Sequence, residues 1–507
     1  MTAGPLGAWE FQPQLGLAYL CSYLKENGYP DTQYFDTSAT PISQLETYFR
    51  LEQPDLVCVS IYTPTRHESF KVIHLAKKTV SQAKIVVGGV HPTFLPEQMI
   101  EAYPAIDYVV VGEGEEATLE LVRAIESGST VENIVGLCYR GLDGKAVRVL
   151  GHRPMTDIGS LPFPQYFEHF AKIDGRRVKA GSMITSRGCA AACNFCTVPA
   201  FWGRQRLRSP ESVVAEMKWL VETHGVEYIW FMDDTFTIEM DEARKLLQVI
   251  INSGLSNKVR WRCATRVNCV SRDLLHLMKK AGCHRISYGV ESGSPEILKT
   301  VMKGTRLEQA EAACLMAKEE GILVETNFMV GNPGETQETI DETKAFIKKV
   351  RPDEFNVSNA LYLFPGTPSY NMAKRQNLIA DEVWLTDTQT VAYTAENSQE
   401  QLSAWQIEII RECGRHLGFL NNVKYFLFII RRIPLHRIIK SVRHWLTVYF
   451  KRLSGFGATS RNAAAVYDLQ ELRNILREES IKARKKDQLK PLKAVRKLEG
   501  MALERFQ

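Results

Sequence analysis

Nine short runs of β-branched and aliphatic residues, separated by amphipathic or turn-bearing stretches, occupy the first 365 residues of this 507-residue chain. Three lie near the front: DLVCVSIYT (55–63), AKIVVGGV (83–90) and DYVVVGEGEE (107–116). Strands that are apolar along their whole length are buried on both faces, and helical patterns between them imply parallel pairing. LGLAYLCSYLKENG (15–28) carries apolar residues at helical spacing and stops on glycine. Residues 1–150 are therefore predicted to form an open, doubly wound, Rossmann-like α/β sheet, with ligands at the carboxyl ends of its strands. The pattern opens on a helix, so either the start lies late or the sheet lacks its first strand.

Six further runs follow: SMITSRG, EYIWFMDD, RWRCATR, HRISYGVES, LVETNFMVG and FNVSNALYLFP. Helical stretches such as SPESVVAEMKWLVETHG lie between them, which predicts a partial (β/α)6, TIM-like barrel over residues 181–375. Its chemistry would sit at the carboxyl ends of the strands. Residues 151–180 carry three prolines and are read as a linker; 376–420 are expected to be a helical extension.

Composition sets the outer limits. At 45% hydrophobic and 24% charged, the chain can build two or three domains with real cores. The 11 cysteines do not fall into regularly spaced pairs, and the first residues lack a signal-peptide pattern, so a reducing, cytoplasmic setting is expected. No apolar run approaches the length of a membrane span. The charge is uneven. Residues 421–507 hold 20 Lys+Arg against 7 Asp+Glu, a net +13, which leaves −8 for the first 420 within the total of +5. From 421 to 453, basic residues interleave with Phe, Ile, Leu, Trp and Tyr. Such a segment suits an anionic membrane surface on the inner face, or a core helix with a solvated basic face. Its aliphatic content argues against nucleic acid.

Three cysteines stand within eight residues, CAAACNFC, at Cys189, Cys193 and Cys196. Structural zinc takes four protein ligands, and here no second C-x2-C and no histidine in the loop completes the set. A [4Fe–4S] cluster binds one thiolate per iron, so three cysteines leave one iron open to another ligand. A zinc loop or a fortuitous cluster is the alternative.

TSRGCAAACNFC after a predicted strand resembles the cluster loop of the radical S-adenosylmethionine (SAM) superfamily. That resemblance implies that the open iron chelates SAM and that reductive cleavage releases a 5′-deoxyadenosyl radical. It also implies SAM contacts at Phe195 beside the third cysteine, at Asp233 and Asp234 in FMDDTFT, at Arg266 in CATRVN, and at Glu291 and Ser292 in YGVESGS. Each has a plainer reading, as a capping Asp or a surface Arg.

VSIYTPT, VVGGVHPTFLP and VVVGEGEEATLELV resemble the cobalamin-binding domain that precedes the core in one large subfamily. On that match Ser60, Thr63, Thr65, Gly88, Gly89 and Glu113 are candidate cobalamin contacts. The D-x-H-x-x-G motif that supplies an axial histidine in several cobalamin proteins does not occur. A flavodoxin-like domain that binds nothing is the alternative.

The whole pattern resembles the branch that includes the anaerobic magnesium-protoporphyrin monomethyl ester cyclase and methylases of apolar compounds. The resemblance implies an enzyme that uses a [4Fe–4S] cluster, SAM and cobalamin, fed by a low-potential flavodoxin or ferredoxin. It would methylate an unactivated carbon of a small apolar substrate, a tetrapyrrole, isoprenoid or lipid. Oxidative cyclisation is the alternative reaction, and a non-catalytic cobalamin or iron–sulfur sensor is the alternative class.

Overall fold

The computed structural model describes residues 13–415, apart from 38, 39, 152, 153, 156, 167 and 387–389. Every described residue belongs to the compact unit that spans Met1–Phe428. The basic segment 421–453 lies outside the described residues.

The apolar runs of the front region form β1 (Leu56–Ser60), β2 (Lys84–Gly88) and β3 (Tyr108–Val110), parallel to one another in that order. An antiparallel hairpin, β4 (Leu137–Arg140) and β5 (Ala146–Arg148), extends the sheet beyond β3. The first described helix, Leu15–Glu26, packs its Tyr19 against Met155, Ile158 and Leu161, has no strand before it among the described residues, and β1 forms the sheet's edge.

The second half of the stretch read as a linker belongs to the next sheet. His169–Ile173 (β6) and Arg176–Met183 (β7) form a hairpin joined to the barrel. The charges in RRVKAG disguise a strand whose inward residues, Val178 and Ala180, are small and apolar. A two-residue ribbon follows, β8 (Ser186–Arg187) with β9 (Arg206–Leu207), enclosing the cysteine loop. Then come β10 (Tyr228–Phe231), β11 (Arg260–Thr265), β12 (Cys283–Glu291), β13 (Leu323–Met329) and β14 (Glu354–Ser358). The seven-stranded order β14-β13-β12-β11-β10-β7-β6 is parallel throughout except at β6, so the six expected parallel strands form an open partial barrel.

Alternation along these strands separates two faces. On β12 and β13, Ile286, Tyr288, Val290, Val324, Thr326 and Phe328 are buried, and Phe328 meets Phe346 of the helix Gln337–Val350. The opposite face carries half-buried polar groups: Arg262, Asn327 and Asn356. Arg262 pairs with Glu325 at 2.7 Å, and Asn356 donates to Asn327 Oδ1 at 3.0 Å.

One hydrophobic core runs through both halves. Val57, Ile61, Val87 and Ile100 of the front sheet share it with Met329, Leu361, Leu363, Tyr370, Trp384 and Tyr393 from the barrel and its extension. Trp384 is fully buried there, its indole N–H donating to Tyr370 Oη at 3.1 Å. The carboxyl ends of β1 and β2 are thereby held against those of the barrel strands.

Candidate active site

The cysteine loop leaves the ribbon at Gly188, whose φ of +93° excludes a side chain; a Cβ there would approach Arg204 O to 3.2 Å. Backbone contacts fix the loop's far side. Asn194 N–H and Nδ2 donate to Val301 O and Thr300 O at 3.2 and 2.9 Å, and Ser369 N–H and Oγ both donate to Asn194 O at 2.9 Å. Cys189 and Cys193 are buried and Cys196 is half-buried. Cys189 Sγ lies 3.3 Å from Thr235 Oγ1, Arg266 Nη1 donates to Cys193 Sγ at 3.3 Å, and Val198 N–H points at Cys196 Sγ from 3.5 Å.

Burial first, then the neighbouring Cys193, Asp234 and Cys189, pushes the Cys196 thiol up to about 11. The three sulfurs therefore feel one another, and bound iron is what would hold Cys196 as a thiolate at neutral pH. Among the described residues no three His, Cys, Asp or Glu side chains converge on a single-ion site. With N–H donors aimed at two of the sulfurs, the loop fits a [4Fe–4S] cluster.

Adjacent aspartates at the end of β10 play different parts. Asp233 is buried and accepts from Thr185 N–H at 3.0 Å, Thr185 Oγ1 at 2.8 Å and Ser186 Oγ at 2.6 Å, bracing the strand that leads into the cysteine loop. Burial pushes its carboxyl up, and those donors pull it back. Asp234, on the other face, is open to solvent yet crowded. Burial, then the Asp233 charge, lifts it to about 6, with the Gly188 N–H acting against them.

Arg266 is buried, its second nitrogen donating to Lys303 O. Glu291 follows a bulge in β12 and holds φ of +69°, an uncommon conformation for a non-glycine residue. Its carboxylate pairs with Lys303 Nζ at 2.7 Å, and that ammonium stands 5.8 Å from the centre of the Phe195 ring. Phe195, Arg266, Glu291 and Asp234 are thus gathered around the cysteine loop. Ser292 is turned away, buried against Thr343 Oγ1 at 3.2 Å.

At the front sheet, Ser60, Thr65, Gly88 and Gly89 remain open at the ends of β1 and β2. Gly89 has φ of +93°, and a Cβ there would stand 2.9 Å from Ser60 Oγ, so the loop closes only on glycine. This backbone cradle fits a bulky cofactor. Two expected contacts are directed elsewhere. Thr63 is buried with its hydroxyl 3.1 Å from Nδ1 of His91, a fully buried imidazole that burial, with Arg66 beside it, pushes down to about 3. Glu113 is buried in ion pairs with Arg187 and Arg206, at 2.7 and 2.6 Å. Each of its carboxylate oxygens meets one guanidinium.

Several residues were not singled out from the sequence. Tyr62 is 42% exposed at the end of β1, and its phenol is raised by burial and then by the charge of Asp234. Its signal was an aromatic within VSIYTPT. Lys303, Arg187 and Arg206 left no local signal, because their partners are far away in sequence.

A radical SAM superfamily model matches residues 183–347, and a B12 binding domain model matches residues 10–122. An uncharacterized methyltransferase of Pyrococcus horikoshii is 32% identical over 451 residues, covering 87% of this chain and 94% of that protein. The chain belongs to the cobalamin-binding radical SAM enzymes. Its cofactors are a [4Fe–4S] cluster, SAM and cobalamin. The anaerobic magnesium-protoporphyrin IX monomethyl ester cyclase of Cereibacter sphaeroides is 33% identical over 388 residues, 74% of this chain and 62% of the cyclase. Among solved structures, the tryptophan- and SAM-analogue-bound radical SAM methyltransferase TsrM of Kitasatospora setae matches with a TM-score of 0.62 at 25% identity, covering 72% of this chain and 74% of TsrM. OxsB with aqua-cobalamin and SAM bound matches with a TM-score of 0.65 at 18% identity over 94% of this chain and 73% of OxsB, a likeness of fold.

Proposed function

We propose that this radical SAM enzyme methylates an unactivated carbon of a small apolar substrate, of the tetrapyrrole, isoprenoid or lipid kind. The observation that carries the reading is the hydrophobic core shared by the front sheet and the barrel extension, which holds the strand ends of the cobalamin bed against those of the cluster bed. A substrate held between them meets both cofactor beds. When bound, the cluster and SAM supply reductive carbon–sulfur cleavage, and cobalamin supplies methyl transfer. The protein's own part is positional. Glu291 and Lys303 fix Phe195 beside the third cysteine, Arg266 holds Cys193, and the shared core keeps the cobalamin bed from drifting. Methyl transfer is favoured by the methyltransferase relative that aligns over 94% of its own length.

A flavodoxin or ferredoxin is the proposed electron donor. Attachment of residues 421–453 to an anionic membrane surface remains part of the proposal, as does a cytoplasmic setting. Among the described residues, no helix is long and apolar enough to cross a membrane. Oxidative cyclisation is the second reading, favoured by the 33% identity to the cyclase.

The test is anaerobic reconstitution with iron, sulfide and hydroxocobalamin, then mass spectrometry of SAM products under a low-potential reductant. Methylation predicts both 5′-deoxyadenosine and S-adenosylhomocysteine, with the first abolished by Cys193→Ala. Formation of 5′-deoxyadenosine alone with candidate substrates present would favour cyclisation. Untouched SAM with both cofactors loaded would sink both readings in favour of a sensor.

A further inference from the structure

The ribbon that encloses the cysteine loop places Arg187 directly opposite Arg206, as cross-strand partners. Like charges facing each other across a ribbon repel, and a ribbon of two residues per strand has little stability of its own. Both arginines are nonetheless withdrawn from solvent, with side-chain exposures of 4% and 15%. What neutralises them comes from the front domain. The G-E-G-E turn after β3 inserts two carboxylates: Glu113 contacts Arg187 Nη1 at 2.7 Å and Arg206 Nη1 at 2.6 Å, and Glu115 contacts Arg187 Nη2 at 2.6 Å. The carboxylates are 2% and 5% exposed, so two acids and two bases form a closed, neutral, desolvated quartet. Aromatic rings line the Arg187 guanidinium, Trp202 at 5.1 Å and Tyr19 at 5.7 Å.

The location gives the quartet its meaning. Arg187 stands two residues before Cys189, and Gly112, next to Glu113, is anchored by its N–H donating to Thr93 Oγ1 at 2.9 Å in the segment after the Gly88–Gly89 turn. One side of the quartet is continuous with the cluster loop, the other with the cobalamin cradle. Buried ion pairs seldom add net stability but are costly to half-remove, which makes them good devices for fixing register. We infer that Glu113 and Glu115 are positioning residues that clamp the cluster loop to the cobalamin domain and so set the separation of the two cofactors. The inference rests on the family's cofactor set and not on the identity of the substrate.

The experiment uses full-length protein reconstituted with iron, sulfide and hydroxocobalamin. Its readout is the relaxation of the cob(II)alamin electron-spin signal, compared with the cluster oxidised and reduced. Spin–spin coupling depends steeply on distance, so a fixed separation gives a defined relaxation enhancement. Glu113→Gln leaves Arg206 without its carboxylate, still bonded to Met155 O and Trp202 O. The charge-balanced Glu113→Gln/Arg206→Gln double variant removes the Glu113 bridge without stranding a charge, with Arg187 still paired to Glu115. We expect both to keep their iron and cobalamin stoichiometry while the enhancement falls severalfold. If the single variant does not fold, the double variant alone decides. Wild-type enhancement in the double variant would overturn the inference. Loss of cobalamin with the cluster retained would overturn it too, in favour of Glu113 as a corrin contact. Loss of the cluster alone would reduce the quartet to a support for the loop. None of these outcomes depends on whether the enzyme methylates or cyclises.

Discussion

Replacing Arg266 by glutamine should lower the reduction potential of the cluster. The guanidinium is buried, donates to Cys193 Sγ at 3.3 Å, and is anchored on the other side by the Lys303 carbonyl. A cationic donor on a cluster thiolate favours the form carrying one more electron, because that form has the greater negative charge. A hydrogen bond to a charged group contributes about 1.5–3 kcal/mol. If most of that difference falls on the reduced state, a one-electron couple shifts by roughly 60–130 mV, at about 59 mV per 1.4 kcal/mol. The glutamine amide can still meet the carbonyl but brings no charge to the sulfur. A redox titration followed by electron-spin resonance measures the shift, in the absence of SAM so that any contact between Arg266 and SAM does not contribute. An unchanged potential at full iron content would refute the reasoning and return Arg266 to a purely SAM-binding role.

The two aspartates at the end of β10 should separate cleanly. Asp233→Asn strips the carboxylate from three donors and should cost roughly 1–3 kcal/mol in thermal unfolding, with weaker iron loading, whereas Asp234→Asn should fold and load iron normally but bind SAM less tightly by equilibrium dialysis. Gly89→Ala forces a side chain into a positive-φ extended conformation kept for glycine, at about 1–3 kcal/mol, and drives a methyl against Ser60 Oγ, so the cobalamin bound per chain should fall while iron is unaffected. Glu335 is buried, and desolvation lifts its carboxyl from 4.5 to about 7 against the pull of the Gly331 and Asn332 N–H groups. Between those values the folded chain holds a proton that the unfolded chain has released, so stability falls as pH rises, by up to about 3 kcal/mol in all. Melting temperatures of the apoprotein from pH 4.5 to 8 should show that decline, and Glu335→Gln should flatten it.

The strands most easily read from the sequence were those buried on both faces, because their apolar runs are continuous, as in KIVVG and YIWF. The first half of β7 escaped because it opens on two arginines and only alternate residues there are buried, while its end was read within SMITSRG; the prolines upstream then suggested a linker. The cysteine loop was legible because metal ligation needs one residue type at close spacing. Asp233 and Asp234 were read as a pair, and the structure divides them in the turn after β10: Asp233 is buried on the Thr185 and Ser186 donors, Asp234 is exposed. Glu113 was legible as part of a turn after a strand, but its partners lie 74 and 93 positions further along the chain, where local pattern carries no information. Ser292 sits on the right strand end but spends its hydroxyl on Thr343, a contact between strand and helix that no motif encodes.

The hydrophobic core common to the front sheet and the barrel extension has an evolutionary consequence. Leu361, Leu363, Tyr370, Trp384 and Tyr393 are encoded after the barrel, yet they fill the interior of a domain encoded before it. A gene fusion that moved residues 13–150 onto another barrel would keep the packing among Val57, Ile85, Val87 and Ile100 but lose these later side chains from its interior. Recombination that preserves that part of the core has to carry the segment from 361 to 393 as well.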